Sequence, residues 1–497
     1  MKTYKYLILS VIACLITASC NDFLKEEPQS FLTTEGIKPD KAFVEAELMG
    51  AYKALLFFKN DRAGFIGITG TDEAVGKTVE VNYWSEQGAL DKYNAALNAD
   101  NWMTKWLWDT GYFAISRANN TLLAARQDVT GATEEWCKSI ESEARFVRAV
   151  AYFQLAQFFG GVPIISESTD VSKPNYPREE LAKVYALILE DLDYAENNIK
   201  TEYGLGRATY GAVKAMKVKT YMYAQEESGV RNIAEAKKIL GEIEANNLYK
   251  LMDNYEDLFK EEYENGTESV YEFQFKYPEE PNHFQYFCGS RAVVYNSLGG
   301  GFAIFLPSQY YLSSFTDEND TRLEASVRFR FFFNGNDITD DWAGDQEYVA
   351  PHCKKYEDPS QVIDPYQSSK NIYYIRYADL ILLYAECLNE TGEKNKAVDQ
   401  VNRIRTRAKA SKIDYSISQD QLRDFIYEER MRELAFEGWR RFDLIRRGKQ
   451  YFVDQVSMHN QFATGNVKEY HTLYPIPRNE IDMNDGISDA DQNPGYK

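Results

Sequence analysis

The residues in this chain best suited to chemistry are aromatic rings carried in loops. The sequence holds 36 Tyr, 28 Phe and 7 Trp in 497 residues. Rings at helical spacing, such as Trp102, Trp106, Trp108, Tyr112, Tyr152, Tyr221 and Tyr384, read as core packing. Tyr83, Trp84, Tyr295 and Trp342 fall instead among turn-forming residues. A flat ring held near solvent can stack on the C–H face of a sugar. Polar neighbours (Asp72, Glu73, Asn82, Asn296 and Asp341) can hydrogen-bond its hydroxyls. The candidate ligand-binding residues are therefore Asp72, Tyr83, Trp84, Tyr295, Asn296 and Trp342, each of which also has a packing role open to it.

Motifs for bond-making chemistry are missing. There is no G-x-S-x-G elbow, no H-E-x-x-H and no phosphate loop. Gly299-Gly300-Gly301 lacks a following Lys-Ser/Thr and reads as a turn. The four histidines, His283, His352, His459 and His471, have no helical metal-ligand spacing. Asp317 to Arg322 begins like a calcium loop, but it has no glycine at the sixth place and Arg328 at the twelfth. No cofactor and no metal are expected, although a structural calcium ion is compatible with the acidic loops. A glycosidase needs two carboxylates a few ångströms apart, and among 76 acids nothing singles out a pair. No catalytic residue is expected.

One reactive side chain stands apart, Cys20. Lys2 and Lys5 precede an apolar run from Leu7 to Thr17, followed by Ala18-Ser19-Cys20. A basic start, a short apolar stretch and small residues before a cut point make a secretory signal. The cysteine turns it into a lipoprotein signal, its thiol accepting the lipid. Residues 1–19 are read as the signal peptide and 20–38 as a lipid-anchored tether. Cys14 is a poorer site, because cutting there leaves Leu15-Ile16 exposed. No later apolar run reaches the roughly 20 residues a spanning helix needs. With 56 Lys+Arg against 76 Asp+Glu, a formal charge of −20, the surface repels phosphate backbones, so no nucleic-acid partner is expected. Cys137, Cys288, Cys353 and Cys387 are scattered with no C-x-x-C. A Cys288–Cys353 bridge is open in an oxidising compartment, though spacing alone does not establish it.

Helices must position these residues. Helical patterns follow Asp40, run over Trp102–Ala125 and Thr133–Phe159, and stop at Gly160-Gly161-Val162-Pro163. Others cover Arg178–Asn198, Tyr210–Glu226, Asn232–Asn246, Ile372–Thr391, Lys394–Lys409 and Ser418–Phe436. Residues 64–98 read as loop. Between 259 and 370 the pattern turns irregular, with strand-like alternation at Val270–Phe275 and Val327–Phe331. The fold class is mainly α, a tetratricopeptide-like helical repeat scaffold with a large loop-rich region and a few short strands. One body over 39–497 is expected: scaffold at 39–258 and 371–450, a loop-rich ligand face at 259–370, and a closing segment at 451–497. Opposite charges at i,i+3 and i,i+4 through Glu428–Gly448 read as a structural ion-pair network.

That charged stretch, E-R-x-R-E-L-A-F-E-G-x-R-R-F-D-L-I-R-x-G over 429–448, resembles the signature of the SusD/RagB family of Bacteroidetes surface lipoproteins. Glu143-Ala144-Arg145-Phe146-Val147-Arg148-Ala149 running to Pro163 agrees in order, as does Arg376 to Glu386, with Asp379 where Glu is commoner. Tyr474-Pro475-Ile476-Pro477-Arg478-Asn479-Glu480-Ile481 and Gln492-Asn493-Pro494-Gly495-Tyr496 are similar to the family's closing segment. The resemblance implies eight helices in four tetratricopeptide-like pairs beneath a loop-rich face. It implies an outer-membrane lipoprotein, facing the cell exterior, that captures oligosaccharides and passes them to a SusC-like TonB-dependent transporter without cleaving them. Some members take peptides, so peptide capture is the alternative reading, and a surface glycan hydrolase a weaker one. Tyr83-Trp84 and Tyr295/Trp342 fall where the family's sugar-stacking arc arises, by location and not by motif.

Overall fold

The structure is a computed structural model. It describes residues 38–496, apart from 61, 77–84, 171, 173, 201–204, 290–300, 302, 334, 341–350 and 359–365. In chain order, helix α1 (Lys41–Leu56) leads to strand β1 (Ala74–Gly76) and helices α2 (Ser85–Lys92), α3 (Trp102–Ala125), α4 (Glu134–Phe159), α5 (Leu181–Asn198), α6 (Tyr210–Tyr223) and α7 (Ile233–Ala245). The irregular half holds β2 (Ser269–Phe273), α8 (Phe284–Cys288), β3 (Phe305–Pro307), α9 (Gln309–Ser313), α10 (Arg322–Ser326), β4 (Val327–Arg328), β5 (Phe332–Phe333), β6 (Asn336–Asp337) and β7 (His352–Cys353). Strand β8 (Ile372–Arg376) then enters α11 (Tyr377–Glu390), followed by α12 (Lys394–Arg407), α13 (Gln419–Leu434), α14 (Arg440–Arg447), α15 (Lys449–His459) and α16 (Arg478–Met483).

Eight of these helices form a continuous stack, each touching the next in the order α1, α3, α4, α5, α6, α7, α11, α12. That is four helix pairs, as the fold class requires. Side-chain caps start several of the helices. Asn101 accepts hydrogen bonds from the Met103 and Thr104 amides at the head of α3, and Thr133, Thr209 and Asn232 cap α4, α6 and α7. Ser418 and Gln421 make a reciprocal capping box at α13. Gly160 ends α4 at φ +77°, a left-handed value that any side chain would strain. Within the stack Gly111 is required by contact: a Cβ there would lie 2.6 Å from Leu155 Cγ on α4. One apolar cluster runs from Val44 on α1 to Ile476 near the C-terminus, so the stack and the irregular half share a core.

Three readings of the sequence are corrected. Residues 372–376 form a strand and not the start of a helix. They pair antiparallel with β2, Phe273 opposite Ile372 and Ser269 opposite Arg376. The stretch 64–98, read as loop, contains α2, whose Asp91 accepts hydrogen bonds from the Gly70 amide (3.0 Å) and the Asn460 side chain (2.8 Å). Val327–Phe331 is strand only at its first two residues.

Candidate functional site

The charged stretch around α13 and α14 is the most densely paired part of the described residues. Glu433 sits fully buried and takes ion pairs from Arg376, Arg407 and Arg322. Burial alone would raise its pKa, but those three guanidiniums hold the carboxyl far below the usual range. Glu429 pairs with Arg322 (2.9 Å), Arg432 (3.0 Å) and Arg405 (3.1 Å), and Glu437 with Arg376 (2.9 Å) and Lys355 (2.8 Å). On the other side of α13, Arg430 holds Asp379 (2.8 Å), Asp443 (2.9 Å) and the Tyr223 hydroxyl (2.7 Å). Lys219 pairs with Asp379 and lies 3.3 Å from the Trp439 ring centroid. Burial pushes its pKa down to about 8, with Asp379 opposing. Each of these residues ties α13 or α14 to α6, α11, α12 or the irregular half, so the network is a structural junction. Nothing in it is open to a substrate.

Asp72 belongs to the same junction, which corrects its expected place at the ligand face. It is fully buried, and both its carboxylate oxygens are held by the Arg440 guanidinium. Its neighbour Glu73 accepts the Phe436 amide at 3.1 Å, and burial raises its pKa well above the ordinary value despite Arg440. Phe436 has φ +67°, a strained conformation held by Glu73 and by the Tyr356 hydroxyl donating to its carbonyl at 2.6 Å. The other five ring and amide candidates, Tyr83, Trp84, Tyr295, Asn296 and Trp342, lie outside the described residues, as does Cys20. Their flanking residues do not.

Those flanks converge. Gly76, which precedes segment 77–84, pairs with Phe305 in the β1–β3 ladder. Segment 290–300 is closed at its neck, where the Ala303 amide donates to the Gly289 carbonyl (2.9 Å) and the Ile304 amide to the Phe287 carbonyl (2.8 Å). Strand β7, which follows segment 341–350, packs against β3. Segment 359–365 is flanked by Asp358, whose amide donates to Gln285, and by Tyr366, whose carbonyl meets His283 Nδ1 at 2.6 Å. Helix α8 thus sits at the centre of four segment ends. Beneath it, Phe65, Phe284, Phe287 and Phe305 form a buried aromatic wall that reaches Phe436. Around its outer side, His283 stacks on Tyr366 at 4.3 Å and Tyr286 meets Tyr366 edge-on at 4.9 Å. Tyr366 is 39% exposed. Stacked and edge-on rings at these spacings hold one another in orientation.

Among the described residues no group of three or more His, Cys, Asp or Glu could hold a metal ion. A broad groove of about 1320 Å³, lined by Tyr249, Tyr377, Arg403 and Tyr415, lies by the last helix pair and away from the segment ends. We take the segment ends as the site because rings converge there from sequence-distant positions.

Comparison with known proteins decides the family. The family description "SusD family" matches residues 255–496, and "Starch-binding associating with outer membrane" matches residues 22–222. The chain belongs to the SusD/RagB family. It is 25% identical to SusD-like protein P25 of Formosa agariphila, over 99% of this chain and 98% of that one. Its fold is similar to that of a laminarin-binding SusD-like protein (TM-score 0.77, 23% identity, 92% and 100% of the two chains). A SusD superfamily protein from Bacteroides vulgatus is similar too (TM-score 0.80, 22% identity, 92% and 99%). The SusD/RagB signature identified in the sequence is thus the buried junction, and the fold places it directly under the wall that carries the segment ends. His283, Tyr286 and Tyr366 escaped the sequence reading. The signal available was weak: Tyr366 follows Asp364-Pro365, a turn pair like those flanking the other loop rings.

Proposed function

We propose that the protein is a non-catalytic, glycan-binding lipoprotein of the cell surface. It is anchored through lipid on Cys20 in the outer membrane, faces the exterior, and delivers oligosaccharides to a partner TonB-dependent transporter. The observation that carries this reading is the convergence of four segment ends on α8, beside the stacked pair His283 and Tyr366. Three of those segments contain the loop rings Tyr83, Trp84, Tyr295 and Trp342. Rings assembled from distant loops onto a rigid support give area for stacking on sugar faces at little cost in ordering. Family membership and the fold shared with a laminarin-binding protein support a glycan ligand.

Binding is tested by titrating laminarin and starch oligosaccharides into the purified mature chain, with reducing ends assayed after long incubation. Saturable binding without new reducing ends is expected. Reducing-end release would overturn the non-catalytic part, and failure of both glycans beside capture on a peptide array would overturn the glycan ligand. Fatty-acid labelling lost in Cys20→Ala tests the anchor, and protease access on intact cells tests its sidedness.

A further inference from the structure

Four cysteines fall among the described residues. Cys137 is partly exposed on α4, and Cys387 is buried on α11, its thiol 3.4 Å from the Met222 sulfur. The other two belong together. Cys288 ends α8 and Cys353 ends β7, each almost wholly buried, and burial together with the neighbouring Cys353 thiol raises the Cys288 pKa. The backbone around each is fixed independently. The Gly289 amide donates to the Gln285 carbonyl, and the Ile304 amide to the Phe287 carbonyl, which lock the end of α8. Cys353 is paired opposite Val327 in the β4–β7 ladder, and β7 also packs on β3. Two buried cysteines brought to one place by separately anchored segments are the arrangement that a disulfide can close.

We propose that Cys288 and Cys353 are joined by a disulfide in the exported protein. The oxidant is a disulfide-carrying thiol oxidoreductase or a small-molecule disulfide of the compartment. One cysteine thiolate attacks a donor sulfur and expels the donor's first thiol, giving a mixed disulfide. The second cysteine thiolate then attacks the protein sulfur of that bond and expels the donor's second thiol. Two protein thiols lose two electrons and two protons, and the donor disulfide becomes a dithiol or two thiols. In the folded chain the burial that raises the Cys288 pKa keeps it a poor nucleophile, so the bond forms as the chain folds.

The consequence is local to the ligand face. Cys288 stands just before segment 290–300 and Cys353 just after segment 341–350, the segments that carry Tyr295 and Trp342. A bond between them joins the residues that flank these two segments.

The proposal rests on the exported location proposed above, so the test has two arms. In the first, the purified mature chain is refolded from urea in a glutathione redox buffer, acid-quenched, denatured and alkylated. In the second, intact cells expressing the full chain are acid-quenched and treated in the same way. Peptide mass spectrometry then reads which thiols carry the alkyl group. The expected result in both arms is one cross-linked Cys288–Cys353 peptide pair that reduction splits, with Cys137 and Cys387 alkylated throughout. Cys288→Ser leaves Cys353 alkylated and no other pair formed. Alkylation of both Cys288 and Cys353 after refolding in the redox buffer overturns the pairing. A cross-link in the buffer with free thiols in the cell overturns the exported location and leaves the pairing intact.

Discussion

The junction around α13–α14 and the face around α8 use opposite means to hold side chains in place. At the junction, charges are buried and Glu429, Glu433, Glu437 and Arg430 each have two or more partners, so moving one exposes another. At the α8 face, aromatic rings stand on a buried wall, and Tyr366 is partly exposed. A buried, many-partnered network specifies geometry and is costly to disturb. A rim of rings on loops can change identity without disturbing what lies beneath. The lesson is that the residues most diagnostic of the family hold the scaffold, whereas the rings of the proposed ligand face lie outside that signature.

The comparison breaks most visibly in acid. Glu429, Glu433 and Asp443 all have pKa values lowered in the fold: burial opposes ionisation, but the surrounding arginines outweigh it. A lowered folded value means their stabilisation is complete above the unfolded carboxylate range, roughly pH 4, and is lost as pH falls towards the folded values. Thermal melts should hold steady from pH 7 to 5 and then drop steeply towards pH 3, and a flat profile to pH 3 would contradict the network's role. Next in size, Glu433→Ala leaves Arg376, Arg407 and Arg322 without a shared partner. It should destabilise the fold by about 3–5 kcal/mol in urea unfolding. A loss below about 1 kcal/mol would show that the junction tolerates an open charge.

At the α8 face the expected effects are smaller and fall on affinity. Tyr366→Ala, or Trp84→Ala, should weaken glycan binding by about 2 kcal/mol, typical of an aromatic anchor. Stability should move by no more than about 0.5 kcal/mol, as for surface substitutions. Smallest of all, Glu264 has its pKa raised to about 7 by burial, with Glu272 and Glu261 adding and the Asn371 amide opposing. A raised acid contributes stability below the unfolded carboxylate value and loses it as pH rises through about 7. Glu264→Gln should therefore raise the melting temperature relative to wild type more at pH 8 than at pH 4, and an equal change at both would contradict the shift.

How much of this was legible in the sequence depends on how local each signal is. The helix read over Trp102–Ala125 is α3 to the residue, because the Asn101 cap, the apolar spacing and the following turn are all local to it. The strand at Ile372–Arg376 was absorbed into a helix, since its apolar run continues into α11 and its partner β2 lies about a hundred residues away. Helix α2 was missed because Gly88 and a polar sequence give little propensity, and Asp91 is what holds it in place. The charge spacing of the signature was read as a network of helix-surface and inter-helix ion pairs. Arg432–Glu429 and Arg446–Asp443 are of the first kind, whereas Glu433 and Glu437 take partners that spacing does not name, Arg322, Lys355, Arg376 and Arg407. Asp72 was read as a ligand-binding candidate for the same reason, since Arg440 lies 368 positions away. Long-range pairing of charges leaves no periodic trace.

The central claim, that ligand binding and scaffold integrity are held by separate residue sets, is tested most directly by one paired measurement. Tyr366→Ala and Glu433→Gln are each titrated calorimetrically with laminarin and starch oligosaccharides and unfolded in urea beside the wild type. Tyr366→Ala should lose affinity at unchanged stability, and Glu433→Gln should lose stability while its folded fraction binds as the wild type does. Wild-type affinity for every bound glycan in Tyr366→Ala, or lost affinity in fully folded Glu433→Gln, would contradict the account.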